Sequence, residues 1–315
     1  MTLNDTSNQQ DQQICFTRIN GKPLIEPDPE LNWEAGGVFA PAVVLENGKW
    51  KMLYRAFGKD GISRIGYAES DDGIDWNKDK KPRVIPDHTG LEYSGIEDPR
   101  IVHIDGRYLI SYTAYAKQEM PVQTRIRILE TTDFHKFEHV TPSFEKQKPQ
   151  NDKDGVLFSE KINGLYYMLH RLEPNIQLST STDLKKWTKF STVLKPTQND
   201  WESLKIGAGS PPIKTPIGWL FFYHGVSHDM KYSMGAAILN LKAPTEVLYR
   251  LPYPLLSPGF KYEEAGVVPN VVFGTSVVEL ISNYYLYYGA ADDVIAAALI
   301  DKSDLLKTIV KYPVN

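Results

Sequence analysis

The stretch around Asp98 carries the first candidate for chemistry in this chain of 315 residues. Residues 95–100 read GIEDPR, between the turn-like TGLEYS and the apolar IVHI. Because proline keeps the residue before it extended and a strand can begin directly after it, Asp98 is predicted at the start of a buried strand. A carboxyl group held there is suited to donating or accepting a proton in a reaction. A turn with a solvated charge pair is the alternative that the same residues allow.

Five similar segments indicate how the chain could surround such an acid. They are GKWKMLYR (48–55), GRYLISYT (106–113), GLYYMLHR (164–171), GWLFFYHG (218–225) and NYYLYYGA (283–290). Four of the five begin with glycine, and all run through aromatic and apolar residues as strands do. Counted from Trp50, Tyr108, Tyr166, Trp219 and Tyr284, the steps are 58, 58, 53 and 65 residues. Each step has room for four short strands and their turns.

A second repeated signal follows three of these segments. The stretches SDDGIDW (70–76), TTDFHKF (131–137) and STDLKKW (181–187) each combine Ser or Thr, an Asp and a later aromatic residue. An aspartate can close such a turn by accepting hydrogen bonds from the backbone just after it. Self-similarity at this period with β patterning predicts an all-β fold, a five-bladed β-propeller with a central funnel. A β-sandwich is the alternative, although it does not explain the regular spacing.

The propeller hypothesis places the ends of the repeated strands around one depression. The polar groups at those ends are Arg55, Thr113, His170, Arg171, His224 and Asp292. Asp98 is then expected at the mouth of the funnel, on the innermost strand of the second blade and beside the strand 106–113. Arg100 is expected on the same side of the strand as Asp98, and Glu97 on the opposite side as a structural acid. Residues 1–30 are expected to form an N-terminal extension, and residues 31–315 one propeller domain.

Composition excludes several kinds of partner. The chain has 35 basic and 39 acidic residues and a formal net charge of −4, so it lacks the basic excess of nucleic-acid-binding proteins. The polar start shows no signal peptide, and the longest apolar runs are too short for a membrane span. A single cysteine, Cys15, favours a reducing, cytoplasmic location. The histidines lack a metal-binding spacing, and no glycine-rich nucleotide-binding loop is present. The sequence leaves open whether the protein forms a homo-oligomer.

Several motifs, in order along the chain, resemble those of glycoside hydrolase family 130, the mannoside phosphorylases and related mannosidases. They are EDPRI, DGVLFSEKINGLYYMLHR, WESLKIGAGSPPIKTPIGWLFFYHGV, YEEAGVVPNVVF and YYGAAD. The resemblance extends from about Trp33 to Asp292. It implies a five-bladed β-propeller, in agreement with the repeats.

The resemblance also implies a reaction. Asp98 falls on the catalytic acid, which is expected to protonate the glycosidic oxygen through a hydroxyl of the mannosyl unit. Phosphate then attacks the anomeric carbon from the opposite face and releases α-mannose 1-phosphate with inversion, so inorganic phosphate is the co-substrate and no cofactor is implied. The expected phosphate-binding residues are Arg55, Arg64, Lys153, Arg171, Lys205 and His224. The expected substrate-binding residues are Arg100, Asp154, His170, Tyr223 and Asp292.

Glycosidases that use water need two carboxyl groups, whereas the funnel is expected to hold basic residues beside the single acid Asp98. Such a pocket suits an anionic nucleophile, so the chain is interpreted as a phosphorylase of the glycosyltransferase type. The segment from Lys153 to Arg171 favours the branch that acts on β-1,2-linked mannose. Ala40 departs from the family pattern, since FAPA (39–42) stands where many members have FNSA or FNPA.

Three alternatives remain at this point. A β-mannosidase of the same fold would take its base from Glu173, Glu202 or Glu263. A phosphorylase could instead act on β-1,4-mannosides. The acceptor of a phosphorylase also stays open among mannose, a mannooligosaccharide, glucose and N-acetylglucosamine. The third is a non-catalytic propeller that binds a sugar or a protein.

Overall fold

Nearly all of the regular structure consists of short antiparallel strands, as the sequence predicts. The computed structural model describes residues 13–87, 90–116, 123–140, 143–144 and 151–314. The helical segments in these ranges are α1 (Lys261–Glu264), α2 (Lys302–Ile309) and two 3₁₀ turns, Gly90–Glu92 and Asp200–Glu202. The helix α2 directly follows the last strand of the chain, and Asp301 caps it by accepting a hydrogen bond from the backbone NH of Asp304. Neither α1 nor α2 has the length and apolar character needed to cross a membrane.

The strands follow one another in groups that we call units 1 to 5. A short strand, β1 (Thr17–Arg18), precedes them. Unit 1 contains β2 (Gly37–Glu46), β3 (Lys49–Phe57), β4 (Ser63–Ser70) and β5 (Asn77–Lys78). Unit 2 contains β6 (Gly95–Ile104), β7 (Arg107–Ala116), β8 (Gln123–Thr131) and β9 (Glu138–Val140). Within each unit, neighbours along the chain pair in antiparallel fashion.

The remaining units repeat this plan with small changes. Next along the chain are β10 (Ser143–Phe144) and unit 3, with β11 (Asp152–Leu157), β12 (Tyr166–Leu172), β13 (Asn175–Ser181) and β14 (Lys186–Leu194). Unit 4 contains β15 (Lys205–Ala208), β16 (Ile213–Thr215), β17 (Gly218–Val226), β18 (Tyr232–Leu239) and β19 (Val247–Arg250). Unit 5 contains β20 (Val272–Glu279), β21 (Asn283–Ala290) and β22 (Val294–Asp301). Both β15 and β16 pair with β17, and β10 pairs with β14 in parallel.

The first and last parts of the chain meet in unit 5. Thr17 pairs with Leu299 and Arg18 with Ala298, so β1 is the fourth strand of that sheet. Phe16 is buried in the same apolar cluster as the side chains of β22, and Ile25 bridges to Ile295. The described part of the predicted extension, residues 13–30, is therefore continuous with the sheets.

All five repeated segments of the sequence are strands: β3, β7, β12, β17 and β21. Each is the second strand across the sheet of its unit; in unit 4, β17 is third along the chain, because β15 and β16 both precede it and pair with it. The predicted aspartate turns are also present, because Asp72 accepts hydrogen bonds from the backbone NH groups of Ile74 and Asp75. Asp133 and Asp183 make the same two bonds in units 2 and 3. The local repeat predicted from the sequence is confirmed at these positions.

The first strands of units 1, 2 and 3 share an irregularity that determines where their side chains point. The pairing register shifts between Phe39 and Ala42, between Glu97 and Arg100, and between Lys153 and Val156; within these bulges Ala40, Asp98 and Asp154 have φ values of 47°, 53° and 55°. A bulge redirects side chains away from the simple alternation of a strand. Two of the three left-handed positions are aspartates, a residue type that tolerates this conformation.

Each unit also contains a buried contact between an acid and a ring on its second strand. The pairs are Glu34 with Tyr54, Glu92 with Tyr112, Asp152 with His170, Glu202 with Tyr223, and Glu263 with Tyr288. In three units a cation from the outermost strand binds the same acid: Lys78, Arg250 and Arg18. We call these contacts the acid pins. They join the outer and inner parts of a unit and repeat once in each of the five.

Candidate active site

A cavity of about 180 Å³ brings six of the predicted site residues together. These are Arg55, Asp98, Lys153, Asp154, Arg171 and Asp292. The rest of its lining is Phe39, Tyr232, Val268, Val271 and Phe273. The charged residues come from strands β3, β6, β11 and β12 and from the turn that follows β21, so they belong to four of the five units. Tyr232 of β18 adds the remaining one, unit 4.

Asp98 lies in this cavity with its side chain beside Arg55. The residue is 7% exposed, and Nη1 of Arg55 donates to Oδ1 of Asp98 over 3.2 Å. Arg55 also donates to Oγ of Ser63 and stacks over the ring of Phe39 at 4.7 Å. The guanidinium group is therefore held in place from several sides.

Glu97 is closer to this chemistry than strand alternation predicts. Its carboxylate accepts hydrogen bonds from Arg55 over 2.6 Å and from Lys153 over 3.2 Å, and both cations line the cavity. Glu97 itself lines an adjoining cavity of about 620 Å³ that shares Arg55 with the first. The expectation that Glu97 points away from the site is wrong, because the bulge at Asp98 interrupts the alternation. Its expected structural character fits what it does, since it holds two cations.

Asp154 is bound between two arginines. Arg171 approaches one oxygen at 3.0 Å, and Arg100 approaches the other at 3.1 Å. Burial alone would raise the pKa of Asp154, but the charges of Arg171 and Arg100 outweigh it and hold this pKa well below its usual range. The carboxylate therefore stays ionised and keeps Arg171 directed towards the cavity.

Asp292 is the third carboxylate of the cavity. Burial raises its pKa to about 6, with opposition from the positive charge of Arg55 and a further increase from Asp98 and Glu97. Among the residues that the structure describes, none donates a hydrogen bond to the side chain of Asp292. Its φ of 51° turns the residue inward after β21. An expectation from the sequence, a single acid among cations, is therefore wrong: three carboxylates line the cavity with three cations.

His224 lies behind the cavity wall. Its Nε2 is 3.4 Å from Nη1 of Arg171, and its ring contacts Tyr232 and Phe273, which do line the cavity. Burial lowers the pKa of His224 to about 3 although nearby Asp154 opposes this, so the ring is neutral near pH 7. Its neutral ring can support Arg171 but contributes no positive charge to the site.

Five other predicted site residues do not line the cavity. Arg64 pairs with Asp60 at 2.6 Å, and Lys205 pairs with Glu173 at 3.0 Å. His170 and Tyr223 are ring members of the acid pins, and Thr113, also predicted at a strand end, is buried in β7. Arg100 is 1% exposed and lies beneath the cavity. In a strand, neighbours face opposite sides, so Arg171 reaches the cavity while His170 does not.

The aromatic and apolar part of the lining was not predicted from the sequence. Phe39 precedes the bulge of β2, Tyr232 begins β18, and Phe273 lies near the start of β20. None of them belongs to the five repeated aromatic strands, whose ends supplied the predicted site residues. The available signal was the motif FAPA, whose first residue is Phe39 and which repeats the pattern of EDPR and KDGV.

The proposed bases of a water-using enzyme are also placed by the structure. Glu202 and Glu263 are buried acid-pin members, bound by Arg250 and Arg18 respectively, and neither lines the cavity. Glu173 pairs with Lys205 and Arg171 outside the lining. Of the three acids that line the cavity, Asp98 and Asp154 form ion pairs with arginines, and Asp292 has no ion pair among the residues that the structure describes.

Comparisons with known proteins agree on a single family. A family model described as beta-1,4-mannooligosaccharide phosphorylase, glycoside hydrolase family 130, matches residues 23–311. The 1,2-beta-oligomannan phosphorylase of Thermoanaerobacter sp. is 40% identical over 300 residues, covering 93% of this chain and 99% of the relative.

Solved structures give the same result. The complex of beta-1,2-mannobiose phosphorylase from Listeria innocua with beta-1,2-mannobiose is similar with a TM-score of 0.82 and 27% identity, covering 93% of this chain and 99% of that one. A second structure has a TM-score of 0.84 and 28% identity over 93% of this chain and 96% of that one; it is described in terms of glycoside hydrolases of the family that target beta-1,2 mannosidic linkages in Candida mannan. The family model matched over residues 23–311 and the full-length relative with 40% identity lead to one conclusion: the chain belongs to glycoside hydrolase family 130.

Proposed function

We propose that the protein is a phosphorylase that cleaves β-mannosides with inorganic phosphate and releases α-mannose 1-phosphate with inversion. The observation that carries the proposal is the position of Asp98 in a small cavity with Arg55, Lys153 and Arg171. An acid is needed to protonate the departing oxygen, and cations are needed to hold an anionic nucleophile. A cytoplasmic location, predicted from the single cysteine, belongs to the same proposal.

We further propose that the five units are the blades of a β-propeller and that the cavity lies in its funnel. The first strands of neighbouring units contact one another, since β2 packs against both β6 and β20, and β6 packs against β11. Closure of unit 5 by β1 joins the beginning of the chain to its end, as a ring of blades requires. The sheets need not close on themselves in such a fold, because the blades together form the ring. Units 1 and 2 are joined into one sheet by a single parallel pair, Ser63 with Gly95. The acid pins, one in each unit, support the equivalence of the five.

The residues of the cavity would divide the chemistry as follows. Asp98 gives its proton, through a hydroxyl of the mannosyl unit, to the oxygen of the bond that breaks. A phosphate oxygen attacks the anomeric carbon from the opposite face and forms a new carbon–oxygen bond as the glycosidic carbon–oxygen bond breaks. The protonated remainder of the sugar leaves, and the product is a phosphate monoester. Lys153, Arg171 and Arg55 balance the phosphate charge. Phe39, Tyr232 and Phe273 supply aromatic surface that suits a sugar ring and excludes water.

The favoured substrate is a β-1,2-linked mannobiose or oligomannan. The relative with 40% identity and the Listeria structure are both named for β-1,2-linked mannose, whereas the description of the family model names the β-1,4 linkage. Two full-length comparisons to individual proteins weigh more than a description that covers the family. Phosphorolysis of β-1,4-mannosides is the alternative linkage.

One observation favours a second candidate, a β-mannosidase that uses water. Asp292 shares the cavity with Asp98, and its pKa of about 6 would suit an acid or base. One structural relative is described in terms of hydrolases of this family. Against this candidate, three cations line the cavity, which is more positive charge than a neutral water nucleophile needs.

The test is turnover with and without phosphate. The purified protein is incubated with β-1,2- and β-1,4-mannobiose in phosphate-free buffer and then with added inorganic phosphate, while free mannose and α-mannose 1-phosphate are both measured. In the reverse direction, phosphate release from α-mannose 1-phosphate is measured with mannose, glucose and N-acetylglucosamine as acceptors. Phosphate-dependent formation of α-mannose 1-phosphate is expected. Free mannose formed at the same rate without phosphate would instead establish the hydrolase.

A further inference from the structure

Arg100 occupies a buried position beneath the cavity, where several units meet. It belongs to β6 in unit 2, is 1% exposed, and does not line the cavity. Its guanidinium carbon lies 5.6 Å from the centre of the ring of Phe273, which lines the cavity and belongs to unit 5. A cation removed from water in this way is costly unless several acceptors surround it.

The hydrogen-bond acceptors of Arg100 belong to three different units. Nη1 donates to the backbone carbonyl of Asp98 over 2.9 Å, and Nη2 donates to Oδ1 of Asp154 over 3.1 Å. Nη2 and Nε also donate to the carbonyl groups of Ala208 and Gly209 in unit 4, each over 3.2 Å. One guanidinium group thus binds units 2, 3 and 4 to each other.

These contacts involve both the proposed proton donor and one of the proposed phosphate-binding cations. The carbonyl of Asp98 belongs to a residue whose φ of 53° is left-handed, so a donor at this carbonyl helps to keep the acid in that conformation. The other contact orients Asp154, whose second oxygen binds Arg171 over 3.0 Å. The proposed acid and one of the proposed phosphate cations therefore depend on the same buried side chain.

We propose that Arg100 is a positioning residue that sets the distance between the proton donor Asp98 and the phosphate-binding cation Arg171. This inference rests on the proposed function, because it concerns how the acid and the anion site are held relative to each other. It replaces the expectation that Arg100 binds substrate directly. Lysine cannot reproduce the planar fork that reaches four acceptors in three units, although it keeps the positive charge.

The experiment compares Arg100→Lys with a matched control, Arg250→Lys. Arg250 is also largely buried and also has three kinds of acceptor: the carboxylate of Glu202, the hydroxyl of Tyr223 and the carbonyl of Lys195. It lies on β19, away from the cavity. For both variants, the melting temperature, kcat, KM for the mannoside and KM for phosphate are measured on the folded fraction.

We expect Arg100→Lys to lower kcat by about 100-fold, because small displacements of reacting groups have costs of this size. KM for phosphate should rise and KM for the mannoside should change much less, a split that loss of stability alone does not produce. Arg250→Lys should lower the melting temperature and leave kcat within about twofold. Equal, small effects of both substitutions on kcat would overturn the inference.

A second variant keeps the test decisive if Arg100→Lys folds poorly. Asp154→Asn removes the carboxylate through which Arg100 acts on Arg171 and leaves Arg100 and its carbonyl acceptors in place. The inference predicts a raised KM for phosphate with a smaller loss in kcat than Arg100→Lys shows; an unchanged KM for phosphate contradicts it. Wild-type protein without phosphate-dependent turnover would refute the proposed function instead, so the two failures are distinguishable.

Discussion

Arg55 and Asp98 form an ion pair across the cavity, with 3.2 Å between Nη1 and Oδ1. The same guanidinium group binds Glu97 over 2.6 Å, so two adjacent carboxylates share one arginine. Arginine is also a preferred ligand of phosphate, so an anion bound in the cavity would compete with these two carboxylates for the guanidinium group. The pair therefore connects the position of Asp98 with binding of the anion.

Replacement of Asp98 with asparagine is expected to lower kcat by about 100- to 10,000-fold, the usual contribution of a general acid. Phosphate binding should be kept or strengthened, because Arg55 loses a competing carboxylate. Steady-state kinetics and isothermal titration with phosphate measure the two effects. A variant with full turnover would exclude Asp98 as the acid. Sugar binding by the wild type with no turnover in either protein would indicate a binding propeller.

Substitutions of Arg171 and Arg64 should differ sharply in their effect on KM for phosphate, although both residues are predicted in the phosphate pocket from the sequence. Arg171 lines the cavity, whereas Arg64 is bound to Asp60 outside it. Arg171→Ala is expected to raise KM for phosphate by about 10- to 100-fold, since a hydrogen bond to a charged group contributes roughly 1.5–3 kcal/mol. Arg64→Ala should change this KM by less than about twofold. Similar effects of both substitutions would show that the cavity is not where phosphate binds.

Asp292 should reduce stability at neutral pH. Its folded-state pKa is raised to about 6, so the folded protein holds this proton more tightly than the unfolded chain does. The free energy of unfolding therefore decreases as pH rises from the usual carboxyl range through about 6. Asp292→Asn removes this decrease, and its stabilising effect should be about 1 kcal/mol larger at pH 8 than at pH 5.

Urea unfolding of wild type and Asp292→Asn at the two pH values measures this difference. Asp87→Asn is a suitable control, because Asp87 is exposed and does not line the cavity. A stabilisation that is the same at both pH values would contradict the raised pKa of Asp292. Activity of Asp292→Asn tests the hydrolase alternative at the same time, since loss of phosphate-independent mannose release would support a role as base.

The acid pins should matter for stability and not for turnover. Glu202 accepts hydrogen bonds from Tyr223 and Arg250 and also from Thr197. Glu202→Gln is expected to reduce the free energy of unfolding by about 3 kcal/mol, because it leaves a buried arginine without its counterion. The kcat of the folded enzyme should stay within about twofold. A large loss of kcat without loss of stability would return Glu202 to the candidates for a catalytic base.

Some features of the fold could be read directly from the residues. The second strand of each unit has an aromatic, apolar segment of its own, and the turns at Asp72, Asp133 and Asp183 close through bonds within a few residues. Signals that are local in the chain are the ones a single sequence carries. The acid pins were not predicted, because each acid lies about 20 residues before its ring and only the folded unit brings them together.

The same distinction between local and long-range signals applies to the residues of the site. Residues whose place follows from the end of a strand, such as Arg55 and Arg171, reach the cavity. Arg100 and Glu97 were misplaced because the register shifts between them, and a bulge with left-handed Asp98 is not readable from spacing alone. His170 and Tyr223 were misplaced because their strand faces the interior of the unit at those positions.

The pairing of β1 with β22 has a consequence for synthesis of the chain. Thr17 pairs with Leu299, 282 residues later, so β1 leaves the ribosome long before its partner exists. At about 5–20 residues per second this interval lasts roughly 15–60 s. Throughout that time the apolar Phe16 and Ile19 lack the β22 residues that they pack against in the folded protein. Unit 5 can therefore be completed only after nearly the whole chain has been synthesised, although one of its four strands is made first.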